Sequence, residues 1–215
     1  TFASPQAIAI SILTDSLFIT DIDGDNDLDI IGYHNMEIFS YLNNGNNTFS
    51  TKNVIYTSPY SISYLQVNDF DKNSKNDIIY SSFNSNKIEW LKNMGYPTFS
   101  AIEINNTFNK PASFAVGDLD GDGQKDLLVH DYVNYANQSQ LYILYNNNFS
   151  FTVKVIIDNY NLLSGDLTLL RYSNFRIEDV NNDGDNDILL RATGISNDFH
   201  YTVFTNDGLG NFTKI

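Results

Sequence analysis

The chain has 215 residues, no cysteine and a formal net charge of −14. A disulfide scaffold is excluded, and so large an acidic excess disfavours nucleic acid as a partner. No apolar run approaches the roughly 18 residues that mark a membrane-spanning helix. A 42% apolar content with 14 tyrosines and 15 phenylalanines suits a core built of strands.

In chain order, the first elements are short. An apolar run at 17–20 leads into Asp21-Ile-Asp-Gly-Asp-Asn-Asp-Leu-Asp29, followed by a second run at 28–31 and a third at 38–42. Asn43-Asn-Gly45 reads as a hairpin turn, and Thr48-Phe49 opens a fourth strand. The same order then recurs. Runs at 64–67, 78–80 and 88–91 surround Asp69-Phe-Asp-Lys-Asn-Ser-Lys-Asn-Asp77, and Thr98-Phe99 follows. Runs at 114–117, 127–129 and 141–145 surround Asp118-Leu-Asp-Gly-Asp-Gly-Gln-Lys-Asp126, and Asn148-Phe149 follows. Runs at 175–178, 188–190 and 201–204 surround Asp179-Val-Asn-Asn-Asp-Gly-Asp-Asn-Asp187, and Asn211-Phe212 follows. Four short strands per unit of about 50 residues is the size of a propeller blade. No segment sustains helical periodicity. The expected fold is all-β: a β-propeller of four blades in one repeat domain, with repeats near 1–47, 48–97, 98–147 and 148–215.

The acidic loops carry the chemistry. Positions 1, 3, 5 and 9 present side-chain oxygens: Asp21, Asp23, Asp25 and Asp29; Asp69, Asp71, Asn73 and Asp77; Asp118, Asp120, Asp122 and Asp126; Asp179, Asn181, Asp183 and Asp187. Position 7 varies (Asp27, Lys75, Gln124, Asp185), as expected where only its backbone carbonyl serves as a ligand. Hard oxygen donors at odd spacing around a tight turn suit Ca²⁺, up to four ions in all. Position 6 is Asn26, Ser74, Gly123 or Gly184, residues suited in differing degree to a sharp turn. The four loops hold 16 acidic residues and 3 lysines, a net −13 of the chain's −14. Carboxylates crowded this way require a neutralising cation. The second loop, with a formal charge of −1 and Ser74 at the turn, is expected to be the weakest site.

These loops resemble the FG-GAP/VCBS repeat family, whose blades carry Asp-x-Asp-Gly-Asp-Gly-x-x-Asp-Leu. Residues 118–127 match that form throughout. Asn26 departs from it in the first loop, Asn181 and Asn182 in the fourth, and the second loop lacks both glycines. The resemblance implies calcium-binding propeller blades, in proteins that range from integrin heads to lectins, adhesins and accessory modules of polysaccharide enzymes. Family propellers commonly have more blades. A closed four-blade ring, an arc of a larger propeller and a half ring completed by self-association all stay open.

Blade topology puts the acidic loop and the Asn-Gly turn on one face. The two length insertions, 131–140 and 158–172, fall on the other. Tyr132, Asn134, Tyr135, Asn137 and Gln138 offer aromatic faces and amides there, a set suited to a protein or glycan ligand. His34, His130 and His200 are scattered and point to no catalytic centre, and Trp90 reads as core. The expected function is a non-catalytic recognition or adhesion module, extracellular or at the cell surface. The rivals are a structural spacer and a polysaccharide-degrading enzyme or its accessory domain on the same scaffold.

Overall fold

A computed structural model describes residues 13–46, 48–105, 107–134, 138–157, 167–168, 174–194 and 199–215. Every regular element among them is a strand, and no helix is long and apolar enough to cross a membrane. The first sheet holds β1 (Ser16–Thr20), β2 (Asp29–His34), β3 (Glu37–Tyr41) and β4 (Asn53–Thr57), in that spatial order. The second holds β5 (Tyr64–Asn68), β6 (Asp77–Ser82), β7 (Lys87–Gly95) and β8 (Thr98–Asn105). The third holds β9 (Pro111–Gly117), β10 (Asp126–Asn134), β11 (Gln138–Asn147) and β12 (Ser150–Ile157). In the fourth, β13 (Leu167–Thr168) and β14 (Asn174–Glu178) both pair with β15 (Asp187–Gly194), which continues to β16 (Phe199–Asn206) and β17 (Phe212–Lys214). All pairings are antiparallel, and the first three sheets are simple meanders. Each sheet is one blade, numbered 1 to 4 in chain order.

The second strand of each blade starts with an Asp and continues through two or three apolar residues, and in blades 1 and 2 it is covered on both sides. In β6 all six residues are buried, and in β2 the first five are. Alternate residues feed different inter-blade cores. Ile31, Ile38, Leu65, Ile78 and Tyr80 fill the one between blades 1 and 2. Phe70, Trp90, Phe114, Leu127 and Val129 fill the next, and Trp90 is core, 2% exposed. Leu119, Leu128, Ile143, Ile188 and Phe204 join blades 3 and 4. Among the described residues, no such cluster joins blade 4 to blade 1. A smaller group, Ile30, Phe39 and Tyr41, lies on the face of blade 1 turned away from blade 2. Leu17 and Ile19 stay exposed on that face, because the intervening Phe18 packs toward blade 2.

Register places all four acidic loops alike. Thr20 pairs with Asp29, Asn68 with Asp77, Gly117 with Asp126 and Glu178 with Asp187. The first two strands are thus joined by the same eight-residue connection each time. The segment 131–140, read from sequence as an inserted loop, instead lengthens a hairpin. Asp131 pairs with Gln140 and Tyr132 with Ser139, with a bulge before Asn134↔Gln138. Tyr135 and Asn137 lie outside the described residues, as does 158–172 apart from β13.

Candidate functional site

Each acidic loop is a chain of side-chain-to-backbone turns, the conformation Asp and Asn favour. The position 1 carboxylate accepts from the backbone N–H of position 6 in every copy: Asn26 to Asp21 at 3.0 Å, Ser74 to Asp69 at 2.9 Å, Gly123 to Asp118 at 2.8 Å and Gly184 to Asp179 at 3.1 Å. Position 3 accepts from position 5, as Asp122 N–H donates to Asp120 at 3.3 Å. Position 5 accepts from position 7, as Asp27 N–H donates to Asp25 at 2.8 Å. Closing such a circle requires left-handed backbone at two places. Positions 4 and 6 both have positive φ in every loop: Gly24 and Asn26, Lys72 and Ser74, Gly121 and Gly123, Asn182 and Gly184. The sequence reading identified only position 6. The signal for position 4 was its own Gly, Gly and Asn.

The side chains converge in three loops. Ligand oxygens of Asp21, Asp23 and Asp25 lie within 4.8 Å of one another, as do those of Asp69, Asp71 and Asp77, and of Asp118, Asp120 and Asp122. Such all-oxygen sets could hold a hard cation. In the fourth loop, Asn181 Nδ2 donates to Asp183 at 2.7 Å and its Oδ1 accepts from the Asp183 N–H at 2.8 Å. Burial, opposed by a backbone hydrogen bond and reinforced by neighbouring carboxylates, raises the pKa of Asp120 above the ordinary range, and burial together with Asp29 does the same to Asp23. A cation among these groups would relieve that penalty.

Position 9 has a second task. Asp29, Asp77, Asp126 and Asp187 are completely buried. In each, one oxygen accepts from the N–H of position 2: Ile22 at 3.0 Å, Phe70 at 3.2 Å, Leu119 at 2.7 Å and Val180 at 3.1 Å. The other accepts from the Asn that opens the turn between third and fourth strands: Asn43 at 2.8 Å, Asn93 at 2.7 Å, Asn146 at 2.8 Å and Asn206 at 2.8 Å. The carboxylate therefore buckles the acidic loop to that turn and confirms that both lie on one face. Burial pushes the Asp126 carboxyl up to about 7 despite its two backbone donors. The same Asn side chains tie blades together. Asn93 Nδ2 donates to Ile22 O of blade 1 at 3.0 Å, and Asn206 Nδ2 to Leu119 O of blade 3 at 3.0 Å. Position 8 reinforces this, with Asn76 donating to Asp21 O at 2.8 Å and Asn186 to Asp118 O at 2.9 Å.

Position 7 side chains lie against their own blade's turn. A Cβ on Gly45 would meet Asp27 Oδ2 at 2.7 Å, and one on Gly208 would meet the Asp185 carboxylate at 2.7 Å. Gln124 Oε1 accepts from Asn148 N–H at 3.1 Å. The turn glycines, both at positive φ, leave room for these contacts.

On the opposite face the structure opens a cavity of about 770 Å³ that no sequence motif announces. It is lined from three blades, by Asp15, Tyr33, His34, Asn35, the 61–64 connection, Phe83, Asn84 and Ala112. Its wall is braced: Asn35 N–H donates to Asp15 at 3.0 Å, Ser61 to Asn35 Oδ1 at 2.7 Å and Phe83 N–H to Ser63 Oγ at 2.8 Å. His34 Nδ1 lies 3.4 Å from Asp15. Tyr132 reaches this rim, its ring 6.0 Å from that of Phe83, and the Lys110 ammonium sits 5.0 Å over Phe83. His130, on β10, is fully buried with its ring against Phe175 of blade 4 and neither ring nitrogen hydrogen-bonded.

Solved structures share this fold. An Agrocybe aegerita lectin, studied for specific recognition of non-reducing terminal N-acetylglucosamine, superposes with a TM-score of 0.63 over 92% of this chain at 20% identity. The Tc holotoxin pore of Photorhabdus luminescens gives 0.57 over 92% at 17% identity. The chain spans about half, 51%, of the lectin and 9% of the toxin chain. None of the curated proteins matches it at the sequence level. The FG-GAP-like repeat matches residues 21–80 and again 69–129, together just over half of the sequence. Acidic loops repeated on all four antiparallel blades agree with that match: the chain belongs to the FG-GAP-like repeat family.

Proposed function

We propose that the chain is an extracellular, non-catalytic recognition module, held in shape by calcium and binding a glycan on the face opposite its acidic loops. The observation that carries this reading is the cavity of about 770 Å³ on that face. Its lining combines the half-buried aromatic rings of Tyr64 and Phe83 with the carboxylate of Asp15, the amide of Asn84 and the hydroxyls of Ser61 and Ser63. Rings that stack on sugar C–H faces beside groups that bond hydroxyls are what carbohydrate recognition requires. Likeness to a lectin fold supports the same reading.

In this scheme Asp21, Asp23 and Asp25, and Asp118, Asp120 and Asp122, hold calcium, with the fourth loop contributing Asp179, Asn181 and Asp183. Bound calcium would neutralise the loops and lock the blade edges. The ligand would not touch it, because the cavity lies at the other end of the strands. Leu17 and Ile19, exposed on blade 1, support an arc of a larger propeller or a half ring completed by self-association over a closed four-blade ring.

A glycan array at saturating calcium tests the proposal. Binding of a defined terminal sugar, lost in Phe83→Ala while the calcium-dependent melt is unchanged, is the expected outcome. An array with no bound glycan removes the recognition reading in favour of a spacer. Depolymerisation of a polysaccharide by the purified chain would make it an enzyme.

A further inference from the structure

The four loops share a backbone, but one of them is met by a cation from its own blade. Lys92 Nζ lies 2.5 Å from Asp71 Oδ2, and that carboxylate side chain is only 4% exposed. Lys92 is on β7 immediately before Asn93, the residue that buckles to Asp77. Register gives its counterparts in the other blades: Leu42, Tyr145 and Thr205, each preceding the equivalent Asn and none charged. The lysine is built in. Its ammonium lies 5.4 Å from the ring of Trp90 and 5.9 Å from that of Phe149, two rings stacked at 5.0 Å across the boundary of blades 2 and 3. An ammonium held both beside aromatic faces and on a carboxylate is a stable way to seat a lysine.

The rest of the second loop agrees. Lys72 replaces the position 4 glycine, and its ammonium donates to Gly123 O in the third loop. Lys75 stands at position 7. The second loop thus carries three carboxylates and two lysines of its own, with Lys92 added on Asp71, whereas the first loop carries five carboxylates and no lysine. A divalent ion entering here would meet an ammonium already bonded to one of its ligands, and like charges at such spacing repel strongly. The loop nevertheless keeps the turns of its siblings, with Ser74 and Lys75 N–H groups held by Asp69 and Asn73.

We propose that Lys92 replaces the metal in the second loop, which keeps the calcium-loop fold without a divalent ion while the other loops bind one. The proposal rests on the calcium reading of the loops, and its test separates the two. Calcium stoichiometry of the full chain is measured by equilibrium dialysis for wild type, Asp71→Ala and Asp120→Ala, since Asn181 already serves at the same position in the fourth loop. The expected result is that Asp120→Ala loses one ion and Asp71→Ala loses none. Loss of an ion in Asp71→Ala overturns the proposal alone. A wild-type chain that binds no calcium overturns the calcium reading and this inference with it. Terbium adds a local readout, since Trp90 is the single tryptophan and its ring lies 5.4 Å from Phe70 within the second loop. Tryptophan-excited terbium emission should be the same in wild type and in Lys92→Arg. In Lys92→Met it should rise, with one additional calcium bound. In chelator, Lys92→Met should melt below wild type, because Asp71 loses its partner, and calcium should restore it. Unchanged emission or unchanged stoichiometry in folded Lys92→Met contradicts the assignment.

Discussion

Asp126→Ala should destabilise the chain even when no metal is present. The carboxylate is fully buried and accepts the N–H groups of Leu119 at 2.7 Å and Asn146 at 2.8 Å. A hydrogen bond to a charged acceptor contributes about 1.5–3 kcal/mol, and a buried N–H left without one costs about 1–3 kcal/mol. Two such bonds give about 3–6 kcal/mol. Part of this is offset, because the buried carboxyl ionises reluctantly, so a net loss of about 2–4 kcal/mol is expected. That is a large share of a typical total of about 5–15 kcal/mol. The assay is urea unfolding in chelator and in excess calcium, at about pH 8 so that a carboxyl with a pKa of about 7 is ionised. Asp126→Asn should recover roughly half the loss, since its single amide oxygen serves one donor well. Asp120→Ala is the control. Its carboxylate accepts one long 3.3 Å bond from Asp122 N–H, so in chelator it should cost under about 1 kcal/mol. In calcium at 100 times the dissociation constant it should forfeit about 2.7 kcal/mol of linkage. If Asp126→Ala matches wild type in chelator and loses stability only with calcium, position 9 is a ligand and not a buckle.

Other expectations follow from the same geometry. Chelation should lower the wild-type melting temperature, and each filled independent site should return about 2.7 kcal/mol at 100-fold excess over its dissociation constant; an identical melt on verified metal-free protein would remove calcium as a folding ligand. Tyr132→Ala should weaken glycan binding through the Phe83 rim while leaving calcium stoichiometry intact, as read by dialysis and array titration side by side. Burial lowers the His130 pKa to about 4 from 6.5, so its neutral form contributes stability that is present above pH 6.5 and lost as pH falls toward 4. His130→Leu should therefore show a shallower loss of melting temperature across that window than wild type, and parallel curves would contradict it.

The strand order and the loops were legible in the sequence because both depend on local chemistry. Alternating apolar runs punctuated by Asn-Gly turns specify short antiparallel strands, and Asp at odd positions folds back on its own backbone wherever it occurs. The repeat multiplied that signal by four. Tertiary structure decided what depends on residues distant in sequence. The buckling by Asp29, Asp77, Asp126 and Asp187 joins atoms 14 to 20 residues apart across a blade edge. The cavity assembles Asp15, Asn35, Phe83 and Ala112 from three blades, none of them marked by a motif. The 131–140 segment became a longer hairpin because Asp131 and Tyr132 find ladder partners in Gln140 and Ser139, a pairing that its polar composition does not announce. Lys92 reads as an ordinary strand residue until β7 is laid beside the second loop, where register alone turns its side chain onto Asp71.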